Sequence, residues 1–150
     1  MSFLDKMKDS VKNAKNTITT EVAKYRSKDF LEAIVSSCAM VAYADGHVSS
    51  EEKQKMIGFM RTSEQLSVFN QNDIIKLFQK YAEKFEFDAG IGTGEVMRVV
   101  GKFQGKPEAQ LIIRVCCAIG MADGDFDDQE KSCVRTLVVE LGLDPNSFDL

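Results

Sequence analysis

The chain predicts an all-α fold: a compact bundle of about seven helices with two pseudo-symmetric helix–acidic loop–helix repeats. Three observations carry that prediction. Every long segment of the 150 residues spaces its apolar side chains at the helical period. No segment alternates as a half-buried strand does. Finally, the phrase from Cys38 to Lys53, C-A-M-V-A-Y-A-D-G-H-V-S-S-E-E-K, returns from Cys116 to Lys131 as C-C-A-I-G-M-A-D-G-D-F-D-D-Q-E-K, in register and without a gap. Each copy reads as an apolar helical run, a tight acidic loop and the start of a new helix.

Taken in order, Leu4, Met7, Val11, Ala14, Ile18, Val22 and Tyr25 form an apolar stripe on a first helix. Phe30, Leu31, Ile34, Val35, Cys38, Val41 and Ala42 do the same on a second. Met56, Phe59 and Met60 mark a third after the first acidic loop. Asn70, with Asp73 three residues on, predicts the cap of a helix carrying Ile74, Phe78, Tyr81 and Phe85 inward. Residues from Asp88 to Phe103 read as one helix or two short pieces, with Val96, Val99, Val100 and Phe103 facing in. Pro107 suits the first turn of the next helix, which runs to about Ala122 and is apolar nearly all round, as a central helix would be. The last helix carries Val134, Leu137, Val138 and Leu141, with Gly142 as its stop and Pro145 just beyond.

Composition supports a single domain over 1–150. A hydrophobic fraction of 44% with 28% charged residues is that of a soluble protein, and the length is enough to bury a core. The stretch from Leu111 to Met121 is too short to span a bilayer and is interrupted by Arg114. Asp5, Lys6, Lys8 and Asp9 stand where a secretory signal needs an uncharged apolar core, so a cytoplasmic location is expected. Charge is unevenly spread. Residues 1–28, a basic amphipathic helix, hold seven Lys and Arg against three Asp and Glu, whereas the acidic body 29–150 holds twelve against twenty. An acidic body argues against nucleic-acid binding, and a basic arm can touch an anionic membrane or an acidic partner.

The acidic loops admit two readings. Ser49 with Glu52, and Asp127 with Glu130, each fit a capping box that needs no ligand. Gly46 and Gly124 fall where a helix ends in a left-handed residue, and Val48 and Phe126 read as apolar plugs between helices. Asp45 and Asp123, however, sit at helix C-termini, where a carboxylate faces the negative end of the dipole and needs a compensating base or cation. Asp125 and Asp127 add further oxygen donors in the second loop. Hard carboxylates at this density suit Ca²⁺, or another divalent cation such as Mg²⁺, rather than Zn²⁺. The candidate metal ligands are therefore Asp45, Glu52, Asp123, Asp125, Asp127 and Glu130. The pattern is not an EF-hand, because the glycine directly follows the first Asp.

Other features carry less chemistry. The glycines from Gly90 to Gly94 lack a preceding strand and read as a connector rather than a phosphate loop. His47, the single histidine, reads as an exposed loop residue. Cys38, Cys116, Cys117 and Cys133 lie in helical apolar runs and read as reduced thiols, three of them buried. No nucleophile–base pair and no flavin or nicotinamide fingerprint is visible, so no catalytic residues and no organic cofactor are expected.

The two phrases Y-A-D-G-H-V-S-S-E-E-K and M-A-D-G-D-F-D-D-Q-E-K resemble the TerB-like family of helical tellurite-resistance domains, over about Phe30 to Leu143. The resemblance implies a compact all-α fold, a bacterial cytoplasmic setting and a non-enzymatic part in resistance to tellurite, phage and colicins. It implies work beside a TerC-like membrane protein and TerD-like calcium-binding proteins, at the inner face of the cytoplasmic membrane. The family's acidic signature falls on Asp45, Glu52, Asp123 and Glu130. The copies differ around it: His47 and Ser49 stand against Asp125 and Asp127, so two metal sites would be unequal. Because tellurite oxidises thiols, direct detoxification is the alternative; Cys38 and Cys116, equivalent in the two copies, can face one another with Cys133 near them. Their setting in apolar runs, with no base to lower a pKa, reads instead as core. A metal-free interaction module is the remaining alternative.

Overall fold

The structure, a computed structural model, describes residues 27–121 and 126–148. These form six α-helices with two short 3₁₀ turns, and no strand occurs among the described residues. The helices are α1 (Lys28–Ala42), α2 (Ser50–Thr62), α3 (Gln71–Phe87), α4 (Ala89–Gly101), α5 (Glu108–Met121) and α6 (Asp128–Glu140). The expected all-α class is borne out. The basic helix within 1–28 that would bring the number to seven lies outside the described residues except at its very end.

Helix α1 starts where the Ser27 hydroxyl accepts the Phe30 amide at 3.0 Å. It runs through the middle of the bundle and packs against α3, α4, α5 and α6. The sequence pointed to α5 as the central helix. That helix is indeed buried nearly all round, but its main partners are α1 and α6. The difference lies in Ser36 and Ser37, which make α1 look one-sided on paper yet are fully buried. Ser36 hydrogen-bonds the Ala33 carbonyl of its own helix at 3.2 Å, so this short polar side chain enters the core at little cost.

The caps follow the sequence closely. The Asn70 side chain accepts the amides of Asn72 and Asp73 at the start of α3, and Asp88 accepts that of Ile91 at the start of α4. Helix α6 ends in a Schellman turn: the Leu143 amide donates to the Val138 carbonyl, the Gly142 amide to that of Val139, and Gly142 takes a φ of +73°.

The glycine run corrects an expectation. Gly90, Gly92 and Gly94 are not a connector; they form the first turns of α4. A β-carbon at Gly92 would stand 2.6 Å from the Phe85 ring, so the missing side chain lets α4 close against the end of α3. Close packing outweighs the low helix propensity of glycine there.

Candidate functional site: an acidic cleft

The first acidic loop leaves α1 through Tyr43. The Gly46 amide donates to the Tyr43 carbonyl at 2.9 Å, and Gly46 holds a φ of +90°, the left-handed geometry expected of it. The chain then reverses into α2 through a complete capping box. The Ser49 hydroxyl accepts the Glu52 amide at 3.1 Å, and Glu52 Oε1 accepts the Ser49 amide at 3.4 Å. The same box opens α6: Asp127 Oδ1 accepts the Glu130 amide at 2.7 Å, and Glu130 Oε1 accepts the Asp127 amide at 3.2 Å. Val48 and Phe126, the residues just before the two boxes, are both buried, as plugs between helices should be. Phe126 lies on Gly120, where an added β-carbon would come within 3.0 Å of its ring.

Asp45 finds its compensating partner within its own loop. Its Oδ1 accepts the backbone amide of His47 at 3.1 Å, an Asx turn that offsets the unfavourable end of the α1 dipole. His47 itself is exposed, as expected.

Tertiary packing then brings the two loops to one place. Asp45 and Glu52 from the first, and Asp127 and Glu130 from the second, line a common cleft of about 260 Å³. Val41, Ala42 and Val48 supply its apolar lining, with Lys55, Met56 and Phe59 of α2. Asp123 and Asp125 lie outside the described residues. Among the described residues, no three of His, Cys, Asp and Glu stand close enough together to hold a metal ion. Four carboxylates against one lysine make the cleft a field that concentrates cations and repels anions.

Three residues here carried no functional signal in the sequence. Met56 and Phe59 read as core residues, yet they are only partly buried and border the cleft. Glu86 on α3 gave no signal, yet it receives both Lys53 Nζ at 2.8 Å and the Tyr43 hydroxyl at 2.6 Å. Tyr43 also stacks on Phe85, with ring centroids 5.6 Å apart. The hydrogen bonds from Lys53 first and Tyr43 second hold the Glu86 carboxyl below the usual glutamate range. Burial, followed by the neighbouring Glu86, pushes the Tyr43 hydroxyl well above its usual value. The lysine of the repeated phrase is therefore a fastening to α3 in the first copy. In the second, Lys131 approaches Asp128 of its own helix at 3.8 Å, and Met121 stands in place of Tyr43.

The thiols belong to the hydrophobic core. Cys38, Cys116 and Cys117 are buried and Cys133 is partly so, and Cys38 Sγ lies 3.7 Å from Cys116 Sγ. The neighbouring Cys38 and burial together push the Cys116 thiol well above its ordinary pKa. Burial pushes Cys117 and Cys133 to about 12, with the Glu130 carboxylate adding to the effect at Cys133. Thiols held protonated in this way are poor nucleophiles.

A family model described as "Tellurite resistance protein TerB" matches residues 31–150. The chain belongs to the TerB family. A "Tellurium resistance protein TerB" from Alcaligenes sp is 45% identical over 116 residues, which is 77% of this chain and 95% of that relative. No solved structure matches the chain. The family match includes both acidic loops and all six described helices except the first turn of α1. Among the described residues, no helix is long and apolar enough to cross a membrane.

Proposed function

We propose that this TerB-family protein is a non-enzymatic, cytoplasmic adaptor of the tellurium-resistance system whose acidic cleft takes up a divalent cation, Ca²⁺ before Mg²⁺. The observation that carries this reading is the convergence of Asp45, Glu52, Asp127 and Glu130, from two loops far apart in sequence, on one cleft. The paired capping boxes and the meeting of Cys38 with Cys116 support a pseudo-symmetric pair of helix–loop–helix units around it. Capping and the Asx turn use Oδ1 of Asp45, Oε1 of Glu52 and Oδ1 of Asp127, while a carboxylate carries two oxygens. These are hard donors of the kind Ca²⁺ and Mg²⁺ select. Although four carboxylates line the cleft, no three of the described ones stand close enough to hold an ion between them, so a cation taken up here keeps part of its water shell.

The basic residues of 1–28 then provide a second contact, with the inner membrane surface or with partners such as the TerC-like and TerD-like proteins. Cation uptake would lower the negative field of the cleft and so change which partners this face accepts.

An amide NMR titration of chelator-stripped protein with Ca²⁺, then Mg²⁺ and Zn²⁺, tests the reading. Saturable shifts confined to Asp45–Glu52 and Asp123–Glu130 are expected, and Asp45→Asn and Asp123→Asn are expected to weaken them without loss of helical circular dichroism. Flat spectra at millimolar Ca²⁺ would leave the loops as caps and the family protein as a metal-free interaction module.

A further inference from the structure

The cleft and the thiols are joined by the geometry of two helices. Val41 and Ala42, which line the cleft, stand three and four residues after Cys38 and so share its face of α1. Glu130, also in the lining, stands three residues before the partly exposed Cys133 on α6. Cys38 and Cys116 are 3% and 2% exposed, with their sulfurs in van der Waals contact at 3.7 Å. They belong to α1 and α5, which pack directly against each other. A pair of thiols so placed needs a sulfur movement smaller than one side-chain rotation to reach bonding distance.

We propose that Cys38 and Cys116 form an oxidation site, which a small, uncharged two-electron oxidant of the hydroperoxide class converts to a disulfide linking α1 to α5. With hydrogen peroxide, one sulfur attacks a peroxide oxygen and the O–O bond breaks, giving a sulfenic acid and one molecule of water (an organic hydroperoxide releases its alcohol instead). The second sulfur then displaces the sulfenic hydroxyl as a second water, forming the S–S bond. Both thiol protons leave in the two waters, the two sulfurs lose two electrons in total, and the peroxide is reduced by two. The acidic lining selects the oxidant: an oxyanion such as tellurite is repelled from the mouth, whereas a neutral peroxide is not. Burial sets the pace. The reaction waits on local opening of the α1–α5 contact and is slow compared with that of an exposed thiolate. This inference uses only the charge and position of the cleft and holds whether or not a cation binds there.

The test uses the full chain, reduced and chelator-treated, exposed to hydrogen peroxide at neutral pH. The intact mass is expected to fall by two hydrogens, and non-reducing peptide mapping to recover a Cys38–Cys116 linkage. Cys133→Ser retains that linkage, and Cys38→Ala loses it. The oxidised form melts about 10 °C higher, because the bond closes a long loop, and reductant reverses the rise. Tellurite at equal concentration gives the linkage more slowly, and added salt narrows the gap. Linkages running through Cys117 or Cys133, or intact thiols at a peroxide dose that cross-links the urea-unfolded chain, would overturn the proposal. A faster reaction with tellurite would overturn its oxidant class.

Discussion

The two helix starts at Ser49 and Asp127 share a capping box almost atom for atom, yet they are fastened to the protein by different physics. Helix α2 buries a single residue, Met60, and packs against α3 and the short turn that follows it. What holds its beginning is polar: Lys53 and Tyr43 both grip Glu86. Helix α6 buries Val134, Leu137 and Val138, touches α1, α4 and α5, and seats Phe126 against Gly120. A local motif thus fixes where a helix begins, while the residues around it decide how firmly the helix belongs to the core. The cleft lies between a wall held by apolar burial and a wall held by a carboxylate clamp, and α2 is the wall free to adjust to whatever enters.

The largest test of this contrast removes the plugs. Phe126→Ala is expected to cost about 3–4 kcal/mol and Val48→Ala about 2 kcal/mol in urea unfolding, since the aromatic ring fills more of the core. Equal costs would mean that the two walls are anchored alike. A smaller effect is expected at the clamp, where Glu86→Gln should cost about 1 kcal/mol at neutral pH, the carboxylate being partly exposed. The sign of its pH dependence follows from the lowered carboxyl pKa. The stabilisation is complete above the unfolded-state value of about 4.3 and is lost as pH falls through the lower folded value, so variant and parent should converge in acid. A difference that persists unchanged in acid would place the effect in packing instead of charge. Smallest and most alike are the caps: Ser49→Ala and Asp127→Ala should each lower stability by about 1 kcal/mol. A clear inequality between them, measured by thermal melting, would show that tertiary anchoring reaches into the cap itself.

Local structure was legible in the sequence because its causes are local. The cap at Asn70, the two boxes, the stop at Gly142 and the plugs at Val48 and Phe126 each depend on residues a few positions apart, and each is found as expected. The role of Gly92 was hidden because its reason is the Phe85 ring, a neighbour across a helix junction that no local rule connects to it. The middle position of α1 was hidden by Ser36 and Ser37, whose polarity disguised a helix buried on every side. Four of the six candidate ligands, Asp45, Glu52, Asp127 and Glu130, come together in the cleft. That they share one cleft, instead of forming two separate sites, depends on packing that periodicity does not encode. Glu86 was illegible for the same reason: a lone acid on an exposed helix face carries no mark of the lysine and tyrosine that reach it.

The position of α1 has a consequence for the birth of the protein. It is the first described helix to leave the ribosome, and every helix that shields it (α3, α4, α5 and α6) is synthesised afterwards. At ordinary rates of synthesis the interval between the end of α1 and the end of α5 is on the order of ten seconds. During that time a helix with almost no polar face lacks the cover that α5, its most extensive described neighbour, later gives it. Nascent chains halted before α5 would present α1 to chaperones and proteases, so the cell can discard an incomplete copy long before its acidic loops meet.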